Sequence, residues 1–412
     1  VAIVERCADL IADRQEELVS LLIAETGKPR LFAVSEVQRL ERTFRLASKV
    51  EGVLGEISLD LSYDPRGLHF RGLWRRFPVG PILAFVPYNW PYNLAGHKLA
   101  PAIVSGCPVI LKVSPLAPLC SFSLASLLME AGVPKGFLSV LHLSNELAQS
   151  AVKDDRVRML SFTGSARVGW MLKDLAPRKK VLLELGGNAP VLVEPDADLA
   201  LMAERVSLSG YGYAGQVCIS AQNVFVHESI YEAAKRHLAD ATERTVVGDP
   251  RRDDVVCGPL ISEEALRKVR ERVADALDLG ARIVAQAPSE VHPRVMSPTL
   301  VENAPLASEL VCEEIFGPVL TLSSYRALDD VLEHLNRGRY RLHASIFTDS
   351  EKVARRVFYV LRYGGVIWND SPSVRFDSMP YGGEGESGFG REGVRFALEE
   401  MTSPRVFLMR RD

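Results

Sequence analysis

The chain has 412 residues, 47% apolar and 25% charged, with 49 Lys plus Arg against 52 Asp plus Glu and a net charge of −3. That length exceeds what one hydrophobic core usually supports, so at least two packed units are expected, and the apolar fraction excludes disorder for the bulk of the chain. Near-balanced charge gives no global field to attract a phosphate backbone, so no nucleic-acid partner is expected.

In chain order, the sequence opens at Val1 on an amphipathic pattern (Ile3, Leu10, Ile11, Leu18, Leu21, Leu22) and reads as a chain missing its natural start rather than one carrying a signal peptide. From Ser62 to Pro78 a segment rich in Arg and aromatics (His69, Phe70, Trp74, Phe77) alternates roughly and predicts a hairpin. From Pro81 the texture changes to short apolar runs, at 82–86, 109–111, 138–141, 157–162 and 181–185. Helical stretches such as 122–131 alternate with them, as in buried parallel strands joined by helices. A second series follows Ala221, with helices near 230–245, 263–279, 328–335 and 351–361 and strands near 319–322, 345–347 and 365–368. Between the two lie Gly210 to Gly215 and Cys218, where an interdomain cleft would hold a ligand. The end, Thr402 to Arg411, reads as an exposed strand seeking a partner.

No apolar run reaches the roughly 18 residues of a membrane span, so no membrane partner is expected. The six cysteines (Cys7, Cys107, Cys120, Cys218, Cys257, Cys312) are scattered, without a CxxC pair or zinc spacing. A reducing, cytoplasmic home and no bound metal are the expectations.

Three GxGxxG matches, 210–215, 383–388 and 388–393, lack the strand before, the helix after and the acidic residue that a dinucleotide fingerprint needs, so tight turns compete with phosphate loops there. Phe162-Thr163-Gly164-Ser165 is better placed: a buried strand ends in small residues where a helix begins, which suits a pyrophosphate or an ordinary helix cap at Ser165. Cys218 stands in a loop before a strand, either as a nucleophile or as packing. Glu184 ends an apolar strand with no local cation, either a general base raised by burial or an exposed strand end. Asn89, in Pro87-Tyr88-Asn89-Trp90-Pro91, is either an oxyanion donor at the carboxyl edge of a sheet or a turn former.

Taken in order, Pro87-Tyr88-Asn89-Trp90-Pro91, Phe162-Thr163-Gly164-Ser165, Leu183-Glu184-Leu185-Gly186-Gly187-Asn188, Gly215-Gln216-Val217-Cys218, Glu313-Glu314-Ile315-Phe316-Gly317-Pro318 and Pro380-Tyr381-Gly382-Gly383 resemble the aldehyde dehydrogenase superfamily. The stretch Ala214 to Ser220 and the ending Gly388-Phe389-Gly390-Arg391-Glu392-Gly393 are most similar to its lactaldehyde dehydrogenase type. The resemblance implies an α/β fold with two tandem open α/β units and a small β oligomerisation flap. Its ranges are 1–61 with 79–187 for a Rossmann-like NAD(P)-binding domain, 188–394 for a catalytic domain, and 62–78 with 395–412 for the flap, hence a homodimer or homotetramer.

The resemblance makes Cys218 the nucleophile, Glu184 the base for the deacylating water, and Asn89 with the Cys218 N–H the oxyanion hole, while Lys98 and Glu392 match proton-relay positions. Lys112 and Glu314 fall at the ribose hydroxyls, Gly164 and Ser165 at the pyrophosphate and Phe316 beside the nicotinamide, with Val86, Pro87, Ser114 and Pro115 also along the cofactor. Trp90, His97, Val217, Ile219, Arg375 and Tyr381 are expected at the substrate pocket. The chemistry agrees: an aldehyde must first become a tetrahedral adduct, and a thiolate both forms one and leaves later.

Three departures matter. Lys112-Val113-Ser114-Pro115 stands where the family usually reads Lys-Pro-Ser-Glu, which opens the choice between NAD and NADP. The chain also begins inside the family's usual N-terminal part, and Ser403 replaces a residue often acidic. Arg375 could fork to an anionic or hydroxylated aldehyde, or could be a surface residue paired with Asp377 or Asp370. The expectation is oxidation of a short polar or anionic aldehyde. A cofactor-free cysteine hydrolase, pairing Cys218 with His97 or His227, and a non-catalytic scaffold are the rivals.

Overall fold

The computed structural model describes residues 1–289 and 293–411; residues 290–292 and Asp412, the last residue of the expected flap range, lie outside that description. The apolar runs from Ile82 onward become a six-stranded sheet in the order Gly388–Phe389, Lys180–Glu184, Met159–Thr163, Ile82–Phe85, Val109–Lys112, Leu138–Leu141. It is parallel except where Gly388–Phe389 runs against Lys180–Glu184. Alternate side chains leave on opposite faces of a strand. Ile82, Ala84, Val109, Leu111, Met159 and Leu182 therefore pack with the helices Ala2–Asp13, Gln15–Thr26, Arg30–Lys49 and Pro91–Ser105, and Leu83, Phe85, Leu160 and Leu183 pack with Asn145–Lys153 and Ala166–Asp174. Both faces of the inner strands are covered, which is why those runs carry no polar alternation, while the edge strand Leu138–Leu141 is half-exposed.

The second sheet has seven strands, ordered Arg282–Gln286, Thr299–Glu302, Val319–Tyr325, Ala221–His227, Ala189–Val193, His343–Phe347, Gly365–Trp368, with only the first pair antiparallel. The segment 185–188 leads straight from the carboxyl end of Lys180–Glu184 to the amino end of Ala189–Val193. The carboxyl edge of the first sheet thereby meets the amino edge of the second, and the candidate residues gather along that seam. No helix among the described residues is long and apolar enough to cross a membrane.

The expected hairpin at 62–78 is a correction. Residues Pro65–His69 form a short 3-10 turn, opened by Asp64 accepting from Arg66 N, and Phe70–Pro78 is a single strand. It lies between Ile57–Leu59 and Thr402–Arg410, both antiparallel to it, so the partner of the terminal strand is found here. Two short strands cross the ranges drawn from sequence: Ile57–Leu59 joins the three-stranded sheet, and Gly388–Phe389 joins the six-stranded one. Each is too short to show a period of its own and is held by its neighbour's ladder.

Candidate active site

Cys218 sits in the turn before the Ala221–His227 strand, half-buried, with Sγ 3.0 Å from the Tyr381 hydroxyl. Burial pushes its thiol up to about 12, partly offset by the Tyr381 hydrogen bond. The turn is seated by a close approach that only glycine permits, since a Cβ on Gly187 would stand 2.1 Å from the Cys218 carbonyl oxygen. Gln216, fully buried, clamps the turn from the other side: its amide donates to the carbonyls of Tyr213 (3.2 Å) and Pro259 (3.4 Å), and its Oε1 accepts from Ile261 N (2.9 Å). Asn89, beyond the Ile82–Phe85 strand, donates from Nδ2 to the Gln216 carbonyl at 2.9 Å, which fixes its carboxamide beside the Cys218 turn. The Cys218 N–H donates to no acceptor among the described residues.

Glu184 is the last residue of its strand and is buried, with neither carboxylate oxygen hydrogen-bonded. It is therefore not the exposed strand end that its position also allowed. Burial raises its pKa well above the usual carboxylate range, and the negative charge of Glu392 raises it further. A Cβ on Gly382 would stand 3.1 Å from Glu184 Oε1, so consecutive residues, Tyr381 and Gly382, touch the thiol and the carboxylate. Behind Glu184, Glu392 is buried between Lys98 Nζ and an Arg375 guanidinium nitrogen, each at 3.2 Å, and Lys98 also reaches Ser161 Oγ at 3.0 Å. Burial pushes Glu392 up, but the neighbouring cations, Lys98 foremost, together outweigh it and hold the carboxyl down at about 2. Glu392 is thus a fixed anion.

Arg375 is no surface residue. Its side chain is 6% exposed, its guanidinium lies 3.6 Å from the Tyr381 ring centroid, and its partner is Glu392 rather than Asp377 or Asp370. Those two aspartates take Arg39 and Arg205 instead, each at 2.6 Å. Arg375 Nε is buried without a partner. Trp90, Val217, Ile219, Arg375 and Tyr381 line one cavity of roughly 350 Å³ with Asn89 and Cys218. His97 does not: it is turned onto Asp377, 2.8 Å from Nε2, behind the wall. Burial lowers its pKa, and the charge of Arg375 lowers it further. Neither histidine of the hydrolase rival meets the thiol, since His227 is engaged with Ser229 and the hydrogen-bond partner of Cys218 is Tyr381.

Along the seam, Glu314 Oε1 accepts from Gly187 N at 3.0 Å, and burial raises this carboxyl to about 7. The loop carrying Glu314 and Phe316 is held by Asn188 donating to Val311 O (2.6 Å) and by Arg272 donating to Glu314 O (2.6 Å). Phe316, at a left-handed φ of 52°, meets Tyr88 edge-on at 6.2 Å. Lys112 ends its strand partly exposed, and partial burial lowers its pKa. Val86 is buried, Pro87 half-buried and Pro115 exposed, and Ser114 Oγ accepts from Leu116 N at 3.2 Å.

Gly164 and Ser165 open the Ala166–Asp174 helix, where Ser165 stands at the cap position without making the expected side-chain cap and Thr163 Oγ1 is buried without a partner. An uncapped helix start, an orphaned hydroxyl and a buried carboxylate across the seam fit a dinucleotide's phosphates and ribose hydroxyls.

Sequence reasoning missed Gln216 as a structural clamp and missed Arg39 and Arg205 at the cavity, where Asp370, weighed from sequence only as a partner for Arg375, also stands. Gln216 lay inside a quoted motif, but the charged residues reach the site from distant segments, and no local pattern marks them.

Two sheets whose facing edges bring together a thiol, a buried carboxylate and a carboxamide define an aldehyde-oxidising enzyme, and the chain belongs to the aldehyde dehydrogenase family, whose family model matches residues 1–407. It is an NAD(P)-dependent aldehyde dehydrogenase. It is 36% identical over 406 residues to 3-sulfolactaldehyde dehydrogenase from Priestia aryabhattai, covering 98% of this chain and 84% of that protein. Among solved structures it resembles aldehyde dehydrogenase 21 from Physcomitrella patens in complex with the product succinate (TM-score 0.94, 36% identity, 99% of this chain and 85% of that one). It also resembles glyceraldehyde-3-phosphate dehydrogenase from Methanocaldococcus jannaschii complexed with NADP (TM-score 0.94, 33% identity, 99% and 89%).

Proposed function

We propose that the enzyme oxidises short aldehydes bearing an anionic or hydroxylated tail to their carboxylates, with Cys218 as nucleophile. The observation that carries the substrate class is Arg375, buried on the cavity wall with a free Nε donor. The relative named for sulfolactaldehyde and the structure holding succinate support it.

In this reading the Cys218 sulfur attacks the carbonyl carbon, and the oxygen that gains charge is taken by the Asn89 amide and the Cys218 N–H. A bound nicotinamide dinucleotide would supply the acceptor for the hydride that the attacked carbon loses, which leaves the acyl group on the Cys218 sulfur as a thioester. Lys112 and Glu314 would hold its ribose hydroxyls, Gly164 and Ser165 its pyrophosphate, and Phe316 its nicotinamide end, with Val86, Pro87, Ser114 and Pro115 beside the rest. Glu184 takes the proton from the water that cleaves the thioester, its basicity set by burial and by the fixed negative charge of Glu392. Lys98 keeps Glu392 anionic.

The reading extends to organisation. Residues 1–61 and 79–187 form the cofactor unit, whose sheet also takes Gly388–Phe389, and the rest of 188–394 forms the catalytic unit. Of the range 62–78 with 395–412, the strands Phe70–Pro78 and Thr402–Arg410, with Ile57–Leu59 added, form an oligomerisation flap that exposes Val406, Phe407 and Leu408, whereas the helix Val394–Glu400 packs Val394 and Ala397 into the core of the cofactor unit. Two such flaps pairing would give a homodimer or homotetramer in the cytoplasm.

The test is formation of reduced nicotinamide with a panel of aldehydes. Cys218→Ala should abolish it while dinucleotide binding persists, and substantial turnover in that variant rejects the assignment.

A further inference from the structure

Gly27, at φ 68°, ends the Gln15–Thr26 helix, Pro29 begins Arg30–Lys49, and between them Lys28 is folded wholly inside the protein. A buried ammonium is costly unless its surroundings replace water. Here three groups do so: the Glu36 carboxylate, the Trp90 ring with its centroid 3.9 Å away, and the Tyr213 ring at 4.7 Å. Cations over aromatic faces are attracted by the ring quadrupole, and more strongly once desolvated. The other oxygen of Glu36 accepts from Tyr92 N (2.9 Å) and Asn93 N (3.1 Å), the first turn of the Pro91–Ser105 helix.

Each group gripped by the ion pair leads to the site. Trp90 lines the cavity and is the chain neighbour of Asn89. Tyr213 and Ala214 hold left-handed backbone angles, φ 51° and 53°, which non-glycine residues adopt only when their surroundings impose them. The Tyr213 carbonyl accepts from the Gln216 side chain, the Gln216 carbonyl accepts from Asn89, and Cys218 follows two residues later. Nothing in the reaction needs Lys28 or Glu36, and neither lines the cavity.

We propose that Lys28 and Glu36 are a positioning pair that, through the rings of Trp90 and Tyr213, sets the register between the Asn89 carboxamide and the Cys218 turn. The proposal rests on the reading of Cys218 as the nucleophile. It is a role at a distance: the pair fixes where the thiol and its oxyanion donor stand relative to each other.

The experiment measures alkylation of Cys218 by iodoacetamide, followed on the Cys218 peptide by mass spectrometry, together with kcat, dinucleotide affinity and the melting temperature. Lys28→Met and Trp90→Leu should each change the alkylation rate and lower kcat by about tenfold, the size of a lost desolvated cation–ring contact. Dinucleotide affinity should stay at the parent value. Lys28→Arg keeps a cation against the rings and Glu36 and should stay within about twofold of the parent in both rates. A folded Lys28→Met with parental alkylation and kcat overturns the proposal, as does a parallel loss of kcat and dinucleotide affinity, which marks general damage. If Lys28→Met does not fold, Glu36→Gln, which is likewise outside the cavity lining, decides by the same criteria. Turnover by Cys218→Ala would instead reject the nucleophile reading itself, a result separable from these.

Discussion

Replacing Arg375 with Leu separates recognition of the substrate tail from the chemistry at Cys218. The substitution removes the guanidinium from the cavity wall, from the Tyr381 ring and from Glu392, but Glu392 keeps Lys98 at 3.2 Å. Orphaning a buried ion-pair partner costs about 3–5 kcal/mol. With one cation retained the stability loss should fall below that, and urea unfolding measures it directly. A charge-assisted hydrogen bond to a carboxylate or sulfonate is worth about 1.5–3 kcal/mol, which corresponds to roughly 10- to 150-fold in kcat/KM. The assay compares two aldehydes of equal chain length, one ending in an anion and one in a methyl group, in the parent and in Arg375→Leu. The ratio of their kcat/KM values should collapse by that factor, mainly through the anionic substrate. If the parent shows no preference for the anion, or the ratio changes less than about twofold, Arg375 serves only to hold Glu392 and the reasoning is wrong.

If Glu184 acts only on the second step, Glu184→Gln should still give a burst of reduced cofactor, followed by steady turnover lower by on the order of 10²-fold; a missing burst in a folded variant would move Glu184 to the first step. The anion Glu392 raises the Glu184 pKa, so the rate of thioester hydrolysis rises with pH as Glu184 loses its proton, and Glu392→Gln should carry that rising limb to lower pH. A limb that stays put or moves up would show that Glu392 does not set this base. Pro115 is exposed and uncharged, so a 2′-phosphate meets no repulsion from it and both NAD and NADP should serve. Pro115→Glu should shift preference toward NAD, whereas a parental preference beyond about a thousandfold, near 4 kcal/mol, would place the discrimination elsewhere.

What the sequence made legible was set by short-range order. The inner strands from Ile82 to Glu184 stood out because they are covered on both faces, and the helices after Ile230 because their apolar positions recur with helical spacing. The strand Ala189–Val193 was not separated out, because it follows the strand Lys180–Glu184 after only the four residues 185–188 and carries no boundary signal beyond the glycines. Glu184 was visible as an odd carboxylate, but its electrostatic neighbours Lys98, Arg375 and Glu392 come from three distant segments. Arg375 could be weighed only as a wall or a surface residue, since its choice of Glu392 over the nearer Asp377 depends on packing. His97 was expected at the pocket with the other wall residues the resemblance implies, yet it is engaged by the carboxylate of Asp377 instead.

The antiparallel pairing of Gly388–Phe389 with Lys180–Glu184 bears on when the enzyme becomes competent during synthesis. Residue 184 is made in the first half of the chain, yet Gly388 pairs with Glu184 itself, and Gly382 and Glu392 crowd and charge its surroundings from the last stretch to emerge. Phe70–Pro78 waits in the same way for Thr402–Arg410. A nascent chain long enough to include Cys218 still has Glu184 unhoused and an early strand unpaired. A chain truncated before that stretch therefore lacks both the residues that enclose Glu184 and the strand that pairs with Phe70–Pro78.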